Sequence, residues 1–243
     1  IEDIVPDPKK GQGYPRSYDI LKYIASLGFQ ITAYTTCQET DTDEHLLSEL
    51  QQLGIEIVRN NLDFKEFITS RKNLYDVAFI SRPHNAAKYM DDIKSNNKAK
   101  IIYDAEAIYA NRELLQAELV DGAKLSDKVK DRHRAKEFAI TKSADIICVV
   151  SDYEKSFFDK YKAPQTKILG FQHPVKFTEK SYDQRKDILF VGAIVNESKY
   201  NPNYDSIMYF INNIWPKVSS NLKCNLLVVG HNKSPNLKQL NNN

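Results

Sequence analysis

The residues best equipped for chemistry fall at the ends of apolar runs. Tyr103-Asp104-Ala105-Glu106 closes one such run, and Ser81-Arg82-Pro83-His84 closes the run before it. In open α/β sheets, ligands bind at the carboxyl ends of the strands. A cationic pair and a carboxylate pair placed there suit one cleft, with Asp104 or Glu106 as an acid, a base or a hydroxyl acceptor. The simpler reading of Asp104 is the N-cap of the helix that follows. Arg112, further along that helix, serves equally well as a solvated surface charge.

Two glycine-bearing connections could meet an anion. The first reads Asp7-Pro8-Lys9-Lys10-Gly11-Gln12-Gly13-Tyr14-Pro15-Arg16. Gly11 and Gly13 let backbone approach a ligand, Pro15 fits a first helical turn, and free N–H groups at the helix start attract negative charge. Arg16 adds a fork for phosphate or carboxylate. A dinucleotide fingerprint would place a third glycine where Arg16 stands and an acid after the next strand, where Tyr34-Thr35-Thr36-Cys37 stands instead. That speaks against an NAD enzyme. The plainer alternative is a loop that merely turns the chain. The second connection, Gly192-Ala193 through Lys199 to a helix start at Asn201 or Asn203, suits a diphosphate or is an ordinary capped helix.

Other candidates carry less. Arg132, His133, Arg134, Lys136 and Glu137 read as a solvated helix face. His45, His84, His133, His173 and His231 lack metal-ligand spacing. Ser151 followed by Glu154 is a capping box. Neither a nucleophile elbow nor a Walker loop occurs. Cys37, Cys148 and Cys224 are far apart and read as buried, reduced thiols.

These residues need elements to position them. The sequence alternates short apolar runs with amphipathic segments. Strands are expected at 1–5, 29–34, 55–58, 75–80, 100–103, 145–150, 166–169, 188–191 and 225–229. Helices are expected at 15–27, 43–53, 62–71, 85–95, 106–119, 127–142, 153–161 and 203–213. Strands apolar on both faces, each followed by a helix, make a Rossmann-like parallel sheet flanked by helices. Gly28 and Gly54 end helices in a left-handed turn. The polar stretch 170–187 reads as a linker between an N-terminal domain, 1–175, and a C-terminal part, 176–243. That part holds one βαβ unit and a polar Asn-rich tail, 236–243, too little to cover a sheet, and is expected to be a truncated second domain. The first residue is Ile1 rather than Met, so an upstream segment is expected as well.

The chain has 243 residues, 42% hydrophobic and 27% charged, enough to bury a core. Its formal charge of +2 gives no basic field for nucleic acid. The longest apolar run, Ile146 to Val150, falls far short of the roughly 20 residues that span a bilayer.

As a set, several stretches resemble family-4 glycosyltransferases of the GT-B fold. They are IEDIVPDPKKGQGYPRSYDILKYIASLGFQITAY, ISRP with IIYDAEAIYANRE, ADIICVVSDYEKSFF, and ILFVGAI with NPNYDSIMYFINNIWPKV and NLLVVG. The resemblance covers nearly the whole chain in order. It implies an N-terminal acceptor domain, a C-terminal donor domain, and sugar transfer with retention from a nucleoside diphosphate sugar, without metal or other cofactor. It places Gly13 and Arg16 on the loop that faces donor phosphates and acceptor, and Gly192 and Lys199 at the donor phosphates; Gly11 and Arg82, from their loop and strand-end positions, join them as expected substrate contacts. Many members carry a histidine after the strand that Asp104 and Glu106 close here, and the late glutamate pair that grips the donor has no counterpart. The implied partners are a nucleotide sugar and a glycan or lipid-linked acceptor. The implied location is the cytoplasm, with association at the inner membrane face left open. A non-catalytic glycan-binding or scaffold domain is the alternative.

Overall fold

The computed structural model describes every residue except 12, 39–41, 60–61, 173–174 and 241–243. Gln12 of the first glycine loop, His173 and the end of the polar tail lie outside the described residues. The chain divides into two compact units, Ile1–Leu115 with Lys124–His173, and Gln116–Ala123 with Pro174–Asn243.

In the first unit the strands are β1 (Ile31–Tyr34), β2 (Ile55–Val58), β3 (Val77–Ser81), β4 (Lys100–Asp104), β5 (Ile146–Val149) and β6 (Gln165–Ile168). Every ladder is parallel, in a β1–β2 pair and a β3-β4-β5-β6 run. Ile1 and Glu2 stand between the two. Glu2 N–H donates to the Tyr34 carbonyl (3.1 Å), while Ser81 N–H donates to the Ile1 carbonyl (3.1 Å). The order is therefore β2-β1-Ile1/Glu2-β3-β4-β5-β6. The chain winds outward in both directions from its first segment, a doubly wound sheet whose order reverses between Ile1 and β3. The strand expected at 1–5 is only this short bridge. The Asp3 carbonyl still accepts from Cys37 N–H (2.8 Å), but its side chain turns to polar contacts and Pro6 has no N–H to continue a ladder.

The helices are α1 (Tyr14–Ser26), α2 (Glu44–Gln52), α3 (Phe64–Ser70), α4 (Pro83–Asn96), α5 (Tyr109–Leu119), α6 (Asp127–Thr141) and α7 (Asp152–Lys160). Alternating strand residues sort them onto two faces. Ile31, Ala33, Ile55 and Ile57 pack with Tyr18 of α1 and Leu46, Leu47 and Leu50 of α2. Tyr34 and Val58 turn the other way, onto Phe64 and Phe67 of α3 and Tyr89, Met90 and Ile93 of α4. Phe158 of α7 is fully buried with its ring edge-on to Phe138 at 4.6 Å. Asp43, Asp63 and Ser151 cap α2, α3 and α7 through their side chains. Only half of the expected capping box forms: Ser151 Oγ accepts from Glu154 N–H (3.3 Å), but the Glu154 carboxylate accepts from Val150 rather than Ser151.

The second unit pairs β7 (Ile188–Val191) with β8 (Leu226–Val229) in parallel. Between them α8 (Pro202–Tyr209) widens to a π turn at Phe210–Ile214 and resumes as α9 (Trp215–Asn221). The widening falls just before Pro216, which has no N–H to give the α ladder. The polar tail is in part a further helix, α10 (Pro235–Leu240). Ser234 Oγ accepts from Leu237 N–H (3.1 Å), Glu197 accepts from Asn236 N–H (2.8 Å), and Leu237 is buried with Ile194 and Ile207. The Ser234-Pro235 start was a readable helix signal. Gly230, at φ 136°, passes so close to Gly192 that a Cβ would sit 2.2 Å from the Gly192 carbonyl oxygen. Among the described cysteines, all are free thiols, but only Cys148 is buried: Cys37 is exposed in the loop beyond β1, and Cys224 is half-buried just before β8. No helix among the described residues is long and apolar enough to cross a membrane.

Phe158→Ala should cost about 3–5 kcal/mol, the range for emptying a packed aromatic site. Phe177→Ala, at a position 94% exposed, should stay within about 0.5 kcal/mol. Urea unfolding of both variants checks the contrast.

Candidate active site at the carboxyl edge of the first sheet

The strand ends at the reversal of sheet order bring Glu2, Asp3, Arg82, Asp104 and Glu106 together, with α1 starting beside them. Gly13 begins α1 in the left-handed region, at φ 91°. A Cβ there would lie 3.0 Å from Glu106 Oε2, so the glycine makes room for a carboxylate. Gly11 has open space around it. Two non-glycine residues share the left-handed region here, Arg82 at φ 75° and Glu106 at φ 52°. Strain of this kind costs on the order of 1–3 kcal/mol per residue and gathers at functional sites.

Two arginines organise the cluster. Arg16, from α1, reaches across the sheet and is buried. Nη1 and Nη2 donate to Asp104 at 2.5 and 2.9 Å, and Nε and Nη2 donate to the Leu169 carbonyl at 3.2 and 2.7 Å. Burial opposes the Arg16 charge, but the Asp104 bonds outweigh it and hold the guanidinium protonated. Burial pushes the Asp104 carboxyl up against the pull of Arg16. Asp104 is therefore the last residue of β4 locked to Arg16, not an N-cap. The helix starts only at Tyr109 and is capped from α6, where Glu137 accepts from Tyr109 N–H (3.2 Å) and Ala110 N–H (2.6 Å). The α6 face expected to be solvated thus contributes a buried acid.

Arg82 sits at the end of β3 with its side chain only 5% exposed. Nε donates to Glu106 Oε2 (3.1 Å) and lies 3.6 Å from Glu2. Nη1 donates to Asp3 and to the Tyr14 hydroxyl (3.1 Å), and the guanidinium lies over the Tyr14 ring. Each carboxylate except one is fully met. Glu2 accepts from Ser17 Oγ (2.8 Å) and Asp3 N–H (2.9 Å), and Asp3 also meets His84 (2.7 Å) and Asn85 (2.8 Å). Glu106 Oε1 is buried with no hydrogen-bond partner in the structure. Burial, then the negative charge of Glu2, push the Glu106 carboxyl up to about 7, with Arg82 pulling the other way.

The expected site residues thus fall into two groups. Gly13, Arg16, Arg82, Asp104 and Glu106 meet at one edge, but both guanidinium groups are spent on the protein's own oxygens. Gly192 and Lys199 belong to the second unit. There Lys199 Nζ donates to the Val120 carbonyl (3.2 Å) and lies 3.7 Å from Asp121. The first N–H groups of α8, at Asn203 and Tyr204, are bonded to Asn201 Oδ1. The Asn201 side chain itself therefore takes two N–H groups expected to face a diphosphate. Sequence reasoning missed Glu2, Asp3 and Tyr14, which carry no local motif. Among the described residues, no group of three or more His, Cys, Asp or Glu has the arrangement to hold a metal ion.

Glu106 holds its proton more tightly folded than unfolded, so its contribution to stability is present at low pH and lost as pH rises through about 7. The unfolding free energy from urea titration should fall between pH 5 and 8, by up to about 3 kcal/mol from this group, and Glu106→Gln should flatten that slope. Arg16→Ala strands a buried carboxylate and should cost about 3–5 kcal/mol. Adding Asp104→Asn should restore much of it, a coupling that a double-mutant cycle measures.

No family model matches the chain, and no curated protein matches it in sequence. Among solved structures it is similar to a sucrose-phosphate synthase from Thermosynechococcus elongatus, with a TM-score of 0.58 and 12% identity, over 95% of this chain and 69% of that one. At that identity the likeness speaks to architecture alone. The chain has an α/β fold of the GT-B type, with parallel sheets flanked by helices.

Proposed function

We propose that the chain is a glycosyltransferase, or a part of one, that moves a sugar from a nucleoside diphosphate sugar to a hydroxyl of a glycan, polysaccharide or lipid-linked acceptor with retention. The observation that carries this reading is Glu106 Oε1, a buried carboxylate oxygen without a partner at the reversal point of the sheet. A carboxyl group that titrates near neutrality is matched to proton transfer at working pH. Glu106 accepts the hydrogen bond of the attacking hydroxyl. The hydroxyl oxygen bonds to the anomeric carbon on the same face from which the diphosphate oxygen departs, so the configuration is kept; the bond from that carbon to the diphosphate oxygen breaks, and the hydroxyl proton passes to Glu106. Asp104 never touches substrate; through Arg16 it positions the start of α1.

The donor belongs to the second unit. Gly192 lets backbone approach the diphosphate. The Lys199 side chain is 58% exposed, and its ammonium carries three donors, so it has capacity for a phosphate oxygen. We assign no metal to the reaction, and we place it in the cytoplasm, at the inner membrane face when the acceptor is lipid-linked. One observation favours a second reading, a non-catalytic glycan-binding domain: Arg16 and Arg82, the cations that a diphosphate would use, are both consumed within the fold.

Incubation with UDP-, GDP- and dTDP-sugars tests the catalytic reading. At least one donor should be bound and slowly hydrolysed, and Glu106→Ala should lower turnover by about 10²–10⁴-fold, the usual worth of a positioned acid or base. Glycan binding with no donor turnover supports the second reading. The absence of both defeats the proposal.

A further inference from the structure

We infer that the carboxyl edge of the first unit takes a neutral, hydroxyl-bearing sugar and rejects phosphorylated or sulfated ones, with Glu106 as the specificity-determining residue. This rests on the acceptor-binding reading proposed above. The start of a helix beside a glycine loop is ordinarily a place for an anion, because N–H groups and the helix dipole converge there. In this chain the protein's own carboxylate already lies there. Glu106 Oε2 comes within 3.0 Å of where a Gly13 Cβ would be, at the first turn of α1.

The charge balance points the same way. Glu2, Asp3, Asp104 and Glu106 face Arg16 and Arg82, so the acids outnumber the guanidiniums. Both guanidiniums are pinned, Arg16 by Asp104 and the Leu169 carbonyl, Arg82 by Asp3, Glu106 and Tyr14. A phosphate or sulfate arriving here would meet uncompensated carboxylate in a site shielded from water, where repulsion is stronger than in bulk solvent. A hydroxyl asks for less. It needs one acceptor, and Glu106 Oε1 is a buried acceptor without a partner.

The charged and titratable groups facing Glu106 are Glu2 and Asp3 from the first segment, Tyr14 and Arg16 from α1, Arg82 from the end of β3, and Asp104 from β4. His84 of α4, through Asp3, Tyr103 of β4 and Tyr109 of α5 complete the set. Glu106 is the member of this set raised to about 7, so acidification from pH 8 to pH 6 removes its charge and with it part of the rejection.

Ligand-observed NMR titration of the whole chain is the test. The probes are methyl glucoside, galactoside and mannoside, each beside its 6-O-sulfate, whose charge stays constant across this pH range. At pH 8 at least one neutral glycoside should bind about tenfold or more tighter than its sulfate. That ratio should shrink several-fold at pH 6, and several-fold at pH 8 in Glu106→Gln. The pH arm uses the unaltered protein, so the result does not depend on the variant folding. A sulfated sugar that binds as well as its neutral partner overturns the inference while leaving acceptor binding standing, as does a ratio indifferent to pH and to Glu106→Gln. If no glycoside of either kind binds, the acceptor reading itself falls, and the inference with it.

Discussion

The guanidinium of Arg82 ties together the place where the first sheet reverses its order. A parallel sheet wound in both directions leaves a gap in its crossover connections at that point, and backbone ladders alone do not close it. Here the first segment contributes Glu2 and Asp3, the β3 end contributes Arg82, the turn after β4 contributes Glu106, and α1 contributes Tyr14. One planar, permanently charged fork meets all of them, which a lysine ammonium would not do. Taking those charges out of water is costly, and removing either side of such a pair is worse than keeping both. The sheet reversal, the entry of α1 and the set of the strained turn at Glu106 depend on that one side chain.

Arg16 makes the second crossing and explains why the site is poor in free cations. Its bonds to Asp104 and to the Leu169 carbonyl join the first helix to the end of β4 and to the chain just beyond β6. Phe171 lies over the same guanidinium at 5.9 Å. The arginine that looks from its loop position like a phosphate ligand is a structural strut. What remains without a partner is one oxygen of a buried acid. Glu106 is strained at its backbone, pressed against Gly13, bonded through one oxygen and vacant at the other. Stability and reactivity pull against each other at that residue, and the arginines around it supply the compensation.

Much of the fold was legible from local pattern. The strands at 55–58 and 188–191 have the bounds that apolar runs and flanking glycines suggested, and Gly28 and Gly54 take the left-handed conformation expected after a helix. Those features are decided by neighbours in sequence: β-branched runs, caps within three residues, and a residue without a Cβ where φ must be positive. The misreadings have one cause. The segment 1–5 looked like a strand by composition, but tertiary bonds at Glu2 and Asp3 and the proline at position 6 cut it to a bridge. Glu137 looked like one charge among many on α6, and only packing showed it capping a helix on a different element.

The sequence by itself determined the fold class, the order of the elements and the fact that Gly13, Arg82, Asp104 and Glu106 would gather at strand ends, because parallel βαβ winding sends those ends to one edge. Only the tertiary structure decided how the charges pair there. Arg16 and Asp104 are 88 residues apart, Arg82 and Asp3 are 79 apart, and no local propensity links them. Pairing among several carboxylates and two arginines is a competition settled by distance and burial. Its outcome is two arginines bound to the protein's own oxygens and one buried carboxylate oxygen, Glu106 Oε1, left without a partner.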